Sequence, residues 1–119
     1  MKPQADFARC IEACNACAIA CQHCAASCLR EDSPGDMARC IDLDIDCAAL
    51  CVAAASAMAR DSGFATRLCA LCAEACKHCG DECGQHAMDH CRQCAEACRR
   101  CAAECMRMAG TTPRTAQPS

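Results

Sequence analysis

The run CIEACNACAIACQHCAASC, from Cys10 to Cys28, sets its cysteines four, three, four, three and four residues apart. Side chains three and four apart lie on one face of an α-helix. The run is therefore a helix that carries thiols where a coiled helix carries its core leucines. Three further blocks repeat the spacing: Cys40, Cys47 and Cys51; Cys69, Cys72, Cys76, Cys79 and Cys83; Cys91, Cys94, Cys98, Cys101 and Cys105. Within blocks the steps are three or four, or seven where one turn is skipped. Alanine, the strongest helix former, fills much of the rest.

The breaks between blocks agree with four helices, predicted at about 6–30, 34–60, 64–86 and 88–109, each on the order of 35 Å long. In SPGD, Ser33 is an expected N-cap, Pro34 takes the first helical position and Asp36 follows three residues on. DSGF, at 61–64, separates the second block from the third. IDLDID, at 41–46, alternates like a strand. It nevertheless lies between the expected cap and helix-spaced Cys47 and Cys51, and Asp is depleted in strands, so it reads as helix. Cys83 to Cys91 is a step of eight. In an unbroken helix the extra residue would swing the stripe by roughly 100°, so a turn near Gly84–Asp89 is expected. Short connections make neighbours antiparallel, which predicts an all-α, up-down four-helix bundle with a cysteine-lined core over residues 1–109. Residues 110–119 have no period and are expected to be a disordered tail.

Large aliphatics are few and the only aromatics are Phe7 and Phe64, a composition that would suit disorder. The formal net charge of only -3 and the regular cysteine pattern argue against that. The start has no apolar targeting segment, and no apolar run reaches transmembrane length. The expected compartment is cytoplasmic, where disulfides are rare and clustered cysteines more often bind metal. Mild acidity without a basic patch argues against nucleic acid.

Nineteen cysteines then face one axis, eight pairs of them in the form CxxxC. As small buried hydrophobes they would be a poor choice, because Ala or Val packs without the oxidation risk. Disulfides within a CxxxC pair are too long to relax, since the Cβ atoms stand about 5–6 Å apart. Interhelical bridges remain open, though an odd count leaves one thiol over. Soft thiolates select Cu(I), Zn(II) or iron–sulfur clusters. Iron–sulfur spacings such as CxxCxxC are absent. A zinc ion on four thiolates is doubly negative, and several on one axis would bury charge with no Lys or Arg on the stripes to offset it. Each Cu(I) replaces one thiol proton and leaves the core neutral. Charge balance therefore favours Cu(I) at about one ion per cysteine, with uptake releasing protons. A general soft-metal scavenger for Zn or Cd is the alternative.

The CxxxC pairs 10/14, 17/21, 24/28, 47/51, 72/76, 79/83, 94/98 and 101/105, set along four helices, resemble the bacterial copper storage proteins of the cytosolic branch. The resemblance spans Cys10 to Met108. It implies that such pairs bind many Cu(I) ions inside a four-helix bundle and that bundles assemble as homotetramers.

Departures from the stripe are informative. Cys40 has Asp44 four residues on, in register with the thiols. His86 follows Cys83 by three residues, and with His90 it falls at the end of the bundle where Cys28 meets Cys40. Asp44, His86 and His90 join the nineteen cysteines as candidate metal ligands or an admission gate. Family members resemble this in carrying His at the open end. His23 and His78 lie off the stripes and are expected to be exposed. Phe7, Met58, Phe64, Leu68 and Met108 should close the other end as an apolar plug. Met58 and Met108 are thioether donors, but methionine at core spacing is more often core. Helix two has a second apolar stripe, Ile41, Ile45, Ala48, Val52, Ala55 and Ala59, which suggests an oligomer contact. No nucleophile–base pair or open metal site with a carboxylate base is evident, so the chain does not read as an enzyme.

Overall fold

The computed structural model describes residues 5–110, with side chains from Phe7 onward. Four long helices form: α1 (Ala5–Leu29), α2 (Ala38–Ala59), α3 (Ala65–Cys83) and α4 (Asp89–Gly110). Among the described residues there is no strand, and IDLDID lies inside α2. The expected tail lies outside the described residues apart from Gly110, which closes α4.

The helix ends show what the linear pattern did not specify. A single 3-10 turn, Pro34–Met37, leads into α2. Ser33 precedes it as expected, but its side chain makes no capping bond. Its carbonyl instead accepts the Asp36 N–H at 3.0 Å, the i+3 bond of the tighter helix. The α2 terminus is a Schellman motif: Ser62 N–H reaches Ala57 O at 2.9 Å, and Asp61 N–H reaches Met58 O at 3.1 Å. Asp61 takes the left-handed position, φ 54°, that glycine more often fills.

Helix α3 stops at Cys83, short of the predicted residue 86. Gln85 N–H bonds Glu82 O and His86 N–H bonds Cys83 O, both at 3.1 Å, so the last turn tightens and leaves the α path. His86 therefore stands in the α3–α4 turn and does not extend the helical stripe.

Each helix packs on two neighbours: α1 on α2 and α4, and α3 on α2 and α4. The result is an antiparallel square bundle measuring 50 × 20 × 17 Å. Its slenderness follows from its side chains. Buried alanines such as Ala13, Ala48, Ala54, Ala73 and Ala95 line the seams and let backbones approach. A Cβ on Gly80 of α3 would stand 3.3 Å from the Cys98 Cβ of α4, so glycine eases a close approach of the two helices there. With so little bulk, thiols meet even across the diagonals. Cys17 and Cys76 (α1, α3) are 3.9 Å apart, and Cys51 and Cys101 (α2, α4) are 3.8 Å apart.

Candidate metal centre

All nineteen cysteines are buried without solvent exposure, and all are free thiols. Six CxxxC pairs hold their sulfurs 3.8–4.0 Å apart: 17/21, 24/28, 72/76, 79/83, 94/98 and 101/105. A disulfide needs about 2.05 Å. The helices interleave these pairs into one continuous lane of sulfur.

At the end formed by the start of α1 and the end of α4, Cys105 lies 3.6 Å from both Cys10 and Cys14. Cys69 interacts with Cys10 at the same level. Cys72 and Cys51 follow at 3.6 Å, and Cys101 and Cys14 at 3.7 Å. Midway, Cys17 has Cys47 at 3.8 Å and Cys98 at 3.7 Å. Cys47 and Cys76 approach to 3.4 Å. Beyond them Cys94 reaches Cys21 at 3.6 Å. At the far end Cys40 and Cys83 are 3.2 Å apart, and Cys91 lies 3.8 Å from both Cys24 and Cys28.

Asp44 occupies its register position inside this lane and is the one fully buried charged-type residue among those described. Its Oδ1 accepts from Cys79 at 3.1 Å, Cys94 at 3.2 Å and Cys83 at 3.5 Å. Its Oδ2 faces Cys40 at 3.9 Å. Burial, reinforced by the neighbouring Cys94, pushes the Asp44 carboxyl up to about 10. Asp44 is thus neutral at pH 7. Its hydrogen bonds all go to thiols, and one of them, Cys40, belongs to the four-thiol group that also holds Cys24, Cys28 and Cys91.

The histidines diverge. His90, in the first turn of α4, turns Nδ1 inward to Cys91 at 3.5 Å, Cys24 at 3.6 Å and Cys28 at 3.9 Å. Burial pushes the Cys91 thiol up to about 11, and burial likewise raises Cys28. His86 turns Nε2 to Glu82 Oε2 at 3.0 Å, and the other Glu82 oxygen pairs with Arg39 at 3.4 Å. His86 belongs to this outer ring of charge and makes no hydrogen bond to a thiol. His23 and His78 are exposed.

The opposite end is closed by Phe7, Met58 and Met108, all buried, and Leu68 is partly buried against the core. Phe64 is not part of this plug. It is 64% exposed, with the Arg67 guanidinium 5.1 Å above its ring. Phe64 is the N-cap of α3, so its side chain leaves the helix before the core-facing stripe begins.

Several four-sulfur groups place one ligand atom from each residue within 4.8 Å of one another. They include Cys14/Cys72/Cys101/Cys105, Cys17/Cys51/Cys76/Cys101, Cys17/Cys21/Cys47/Cys98, Cys21/Cys79/Cys94/Cys98 and Cys24/Cys28/Cys40/Cys91. Cys17, Cys21, Cys98 and Cys101 each belong to two of these groups. Tetrahedral divalent ions take four thiolates each, and even where they share sulfurs the cluster keeps a net negative charge that no buried Lys or Arg among the described residues would offset. Shared thiolates suit a soft cation of low charge held by bridging sulfur.

The copper storage protein family model matches residues 3–110. The chain belongs to the copper storage protein family. A solved Cu(I)-bound copper storage protein, BsCsp3, is 50% identical with a TM-score of 0.81, over 84% of this chain and 94% of that one. A cytosolic copper storage protein from Streptomyces lividans, solved with five coppers, is 42% identical with a TM-score of 0.86, over 90% of this chain and 94% of that one. The uncharacterized cysteine-rich protein YhjQ of Bacillus subtilis is 50% identical over 81 residues, 68% of this chain and 75% of its own length.

Sequence reasoning passed over Glu31, whose Oε2 accepts the His90 Nε2–H at 2.8 Å. The signal was present, because Glu31 follows Cys28 by three residues, the same offset as His86 from Cys83.

Proposed function

We propose that this chain stores Cu(I) in the cytosol, without catalysis, by exchanging thiol protons for copper along its sulfur lane at about one ion per cysteine. The observation that carries this reading is the sharing of thiols between adjacent four-sulfur groups. A lane of bridging thiolates accepts monovalent ions and stays neutral. Filling it with divalent ions would leave negative charge in a core where no Lys or Arg is buried among the described residues. Zinc or cadmium sequestration is disfavoured on that ground. Neighbouring sulfurs 3.2–4.0 Å apart let an ion pass from one thiolate to the next without crossing an apolar gap. No described helix is long and apolar enough to cross a membrane, and one solved relative is named cytosolic.

The nineteen cysteines and Asp44 form the store in this reading, and copper is admitted at the His90 end, since Phe7, Met58 and Met108 close the other. His90 faces three thiols while His86 faces Glu82. His90→Ala is therefore expected to slow Cu(I) uptake from a competing chelator more than His86→Ala does. Equal rates in wild type and the double variant would place admission elsewhere. A crystal soaked anaerobically in cuprous salt tests the store itself: anomalous density should run between the core sulfurs, and density confined to the surface would refute it.

The chain assembles as a homo-oligomer, a tetramer, in the same reading. Ile45 and Val52 on α2 are 58% and 50% exposed, and Ile19 on α1 is 70% exposed. A shallow groove beside this face is lined by Leu29, Pro34, Ala38, Ile41 and Ile45, with Arg39 and Asp42 among them. Of the second stripe read on helix two, Ala48 and Ala55 are buried within the bundle, which leaves Ile45, Val52 and Ala59 on the surface. Sedimentation should show a tetramer, and Ile45→Glu with Val52→Glu should dissociate it. A monomeric wild type would count against the contact.

A further inference from the structure

We propose that Glu31 is a positioning residue, fixing the tautomer and ring orientation of His90 so that the Nδ1 lone pair faces the first four-thiol group of the lane. The inference rests on the reading that copper is admitted at this end. It concerns a residue that binds no copper itself.

A carboxylate only accepts hydrogen bonds. The 2.8 Å contact from His90 Nε2 to Glu31 Oε2 therefore places the imidazole proton on Nε2. In the neutral ring Nδ1 then carries a lone pair. That lone pair faces Cys91, Cys24 and Cys28 at 3.5–3.9 Å, and these three with Cys40 make up one four-thiol group.

Glu31 is itself held in place. Its N–H donates to Cys28 O at 3.2 Å, in the turn that ends α1. The contacts close a ring: the Cys28 carbonyl holds the Glu31 backbone, the Glu31 carboxylate holds Nε2, and Nδ1 returns to the Cys28 sulfur. Two elements distant in sequence, the end of α1 and the start of α4, are thereby locked around one imidazole. Metal-ligating histidines commonly depend on such a carboxylate, and its loss costs roughly 10–100-fold in affinity or activity. His86 and Glu82 make the same Nε2–carboxylate bond, but no thiol lies at hydrogen-bond distance from His86, so only the His90 pair can act on the lane. Glu31 is 36% exposed and His90 14%, so Glu31 substitutions leave the packed core untouched.

The first test uses metal-free protein and needs no copper. Nitrogen-15 spectroscopy of the imidazoles should find the His90 proton on Nε2 with Nδ1 unprotonated. In Glu31→Ala both nitrogens should move toward the averaged positions of a free imidazole, while Glu31→Gln, which keeps an acceptor oxygen, should stay near wild type. A wild-type proton on Nδ1, or a Glu31→Ala spectrum identical to wild type, would overturn the proposal whatever the copper chemistry. The second test is a double-mutant cycle on the rate of Cu(I) uptake from a chelator. Glu31→Ala should slow uptake about tenfold when His90 is present and have no effect in the His90→Ala background. Additive losses would show that Glu31 acts independently of His90. Failure of the wild type to take up Cu(I) would instead refute the storage reading and leave the spectroscopic result standing.

Discussion

Loading the metal-free protein with Cu(I) is expected to raise its melting temperature by more than about 30 °C, because each ion bound at one hundred times its dissociation constant adds about 2.7 kcal/mol and a domain of this size gains about 4 °C per kcal/mol. Three ions bound on those terms already reach that figure. The metal-free bundle has little to set against unfolding. Its core is cysteine and alanine, with Phe7, Met37, Met58 and Met108 as its larger buried apolar side chains. In the proposed lane copper would join sulfurs from all four helices, so unfolding would have to break metal–thiolate bonds as well as expose the core. Calorimetry under reducing, anaerobic conditions reads the effect. A shift of only a few degrees at saturating copper would mean that the ions do not cross-link the helices.

Without copper, stability should fall as pH rises, and Asp44 is the reason. Burial, reinforced by Cys94, lifts its carboxyl from 3.8 to about 10. Between those limits the folded chain holds a proton that the unfolded chain releases. The stabilising contribution is complete below the unfolded value and declines as pH climbs toward the folded one. The slope is about 1.4 kcal/mol per pH unit, so moving from pH 5 to pH 7 costs about 2.7 kcal/mol. Asp44→Asn keeps an oxygen for Cys79, Cys83 and Cys94 and has no proton to lose. Denaturant titrations of the two metal-free proteins at both pH values should show that loss in wild type and not in the variant. Equal slopes would place Asp44 in contact with solvent. Copper loading should reverse the wild-type slope, because a loaded chain that unfolds takes thiol protons back up and its stability therefore rises with pH.

The bundle was legible because cysteine is both the chemical signal and the periodic one. Steps of three and four fix the helix faces, and the step of eight from Cys83 to Cys91 marks the turn between α3 and α4. The same period placed Asp44 in the lane. What period cannot show is how a helix begins or ends. Phe64 looked like core by composition, yet it lies at an N-cap, before the stripe. His86 looked like a continuation of the stripe, yet the chain tightens after Cys83 and sends it to Glu82. Ser33 had the residue type of a cap, and a 3-10 turn satisfied the backbone instead. Glu31 depends on α1 and α4 closing together, which is a tertiary fact. Its offset from Cys28 only suggested where to look.

The most direct test of a thiol-lined copper store is an anaerobic Cu(I) titration of the fully reduced protein against a competing chelator. If the nineteen thiols form one bridging lane, binding continues to about nineteen ions per chain and no thiol remains reactive at the end point. Saturation near four or five ions, as expected for tetrahedral sites with four thiolates each, would contradict it.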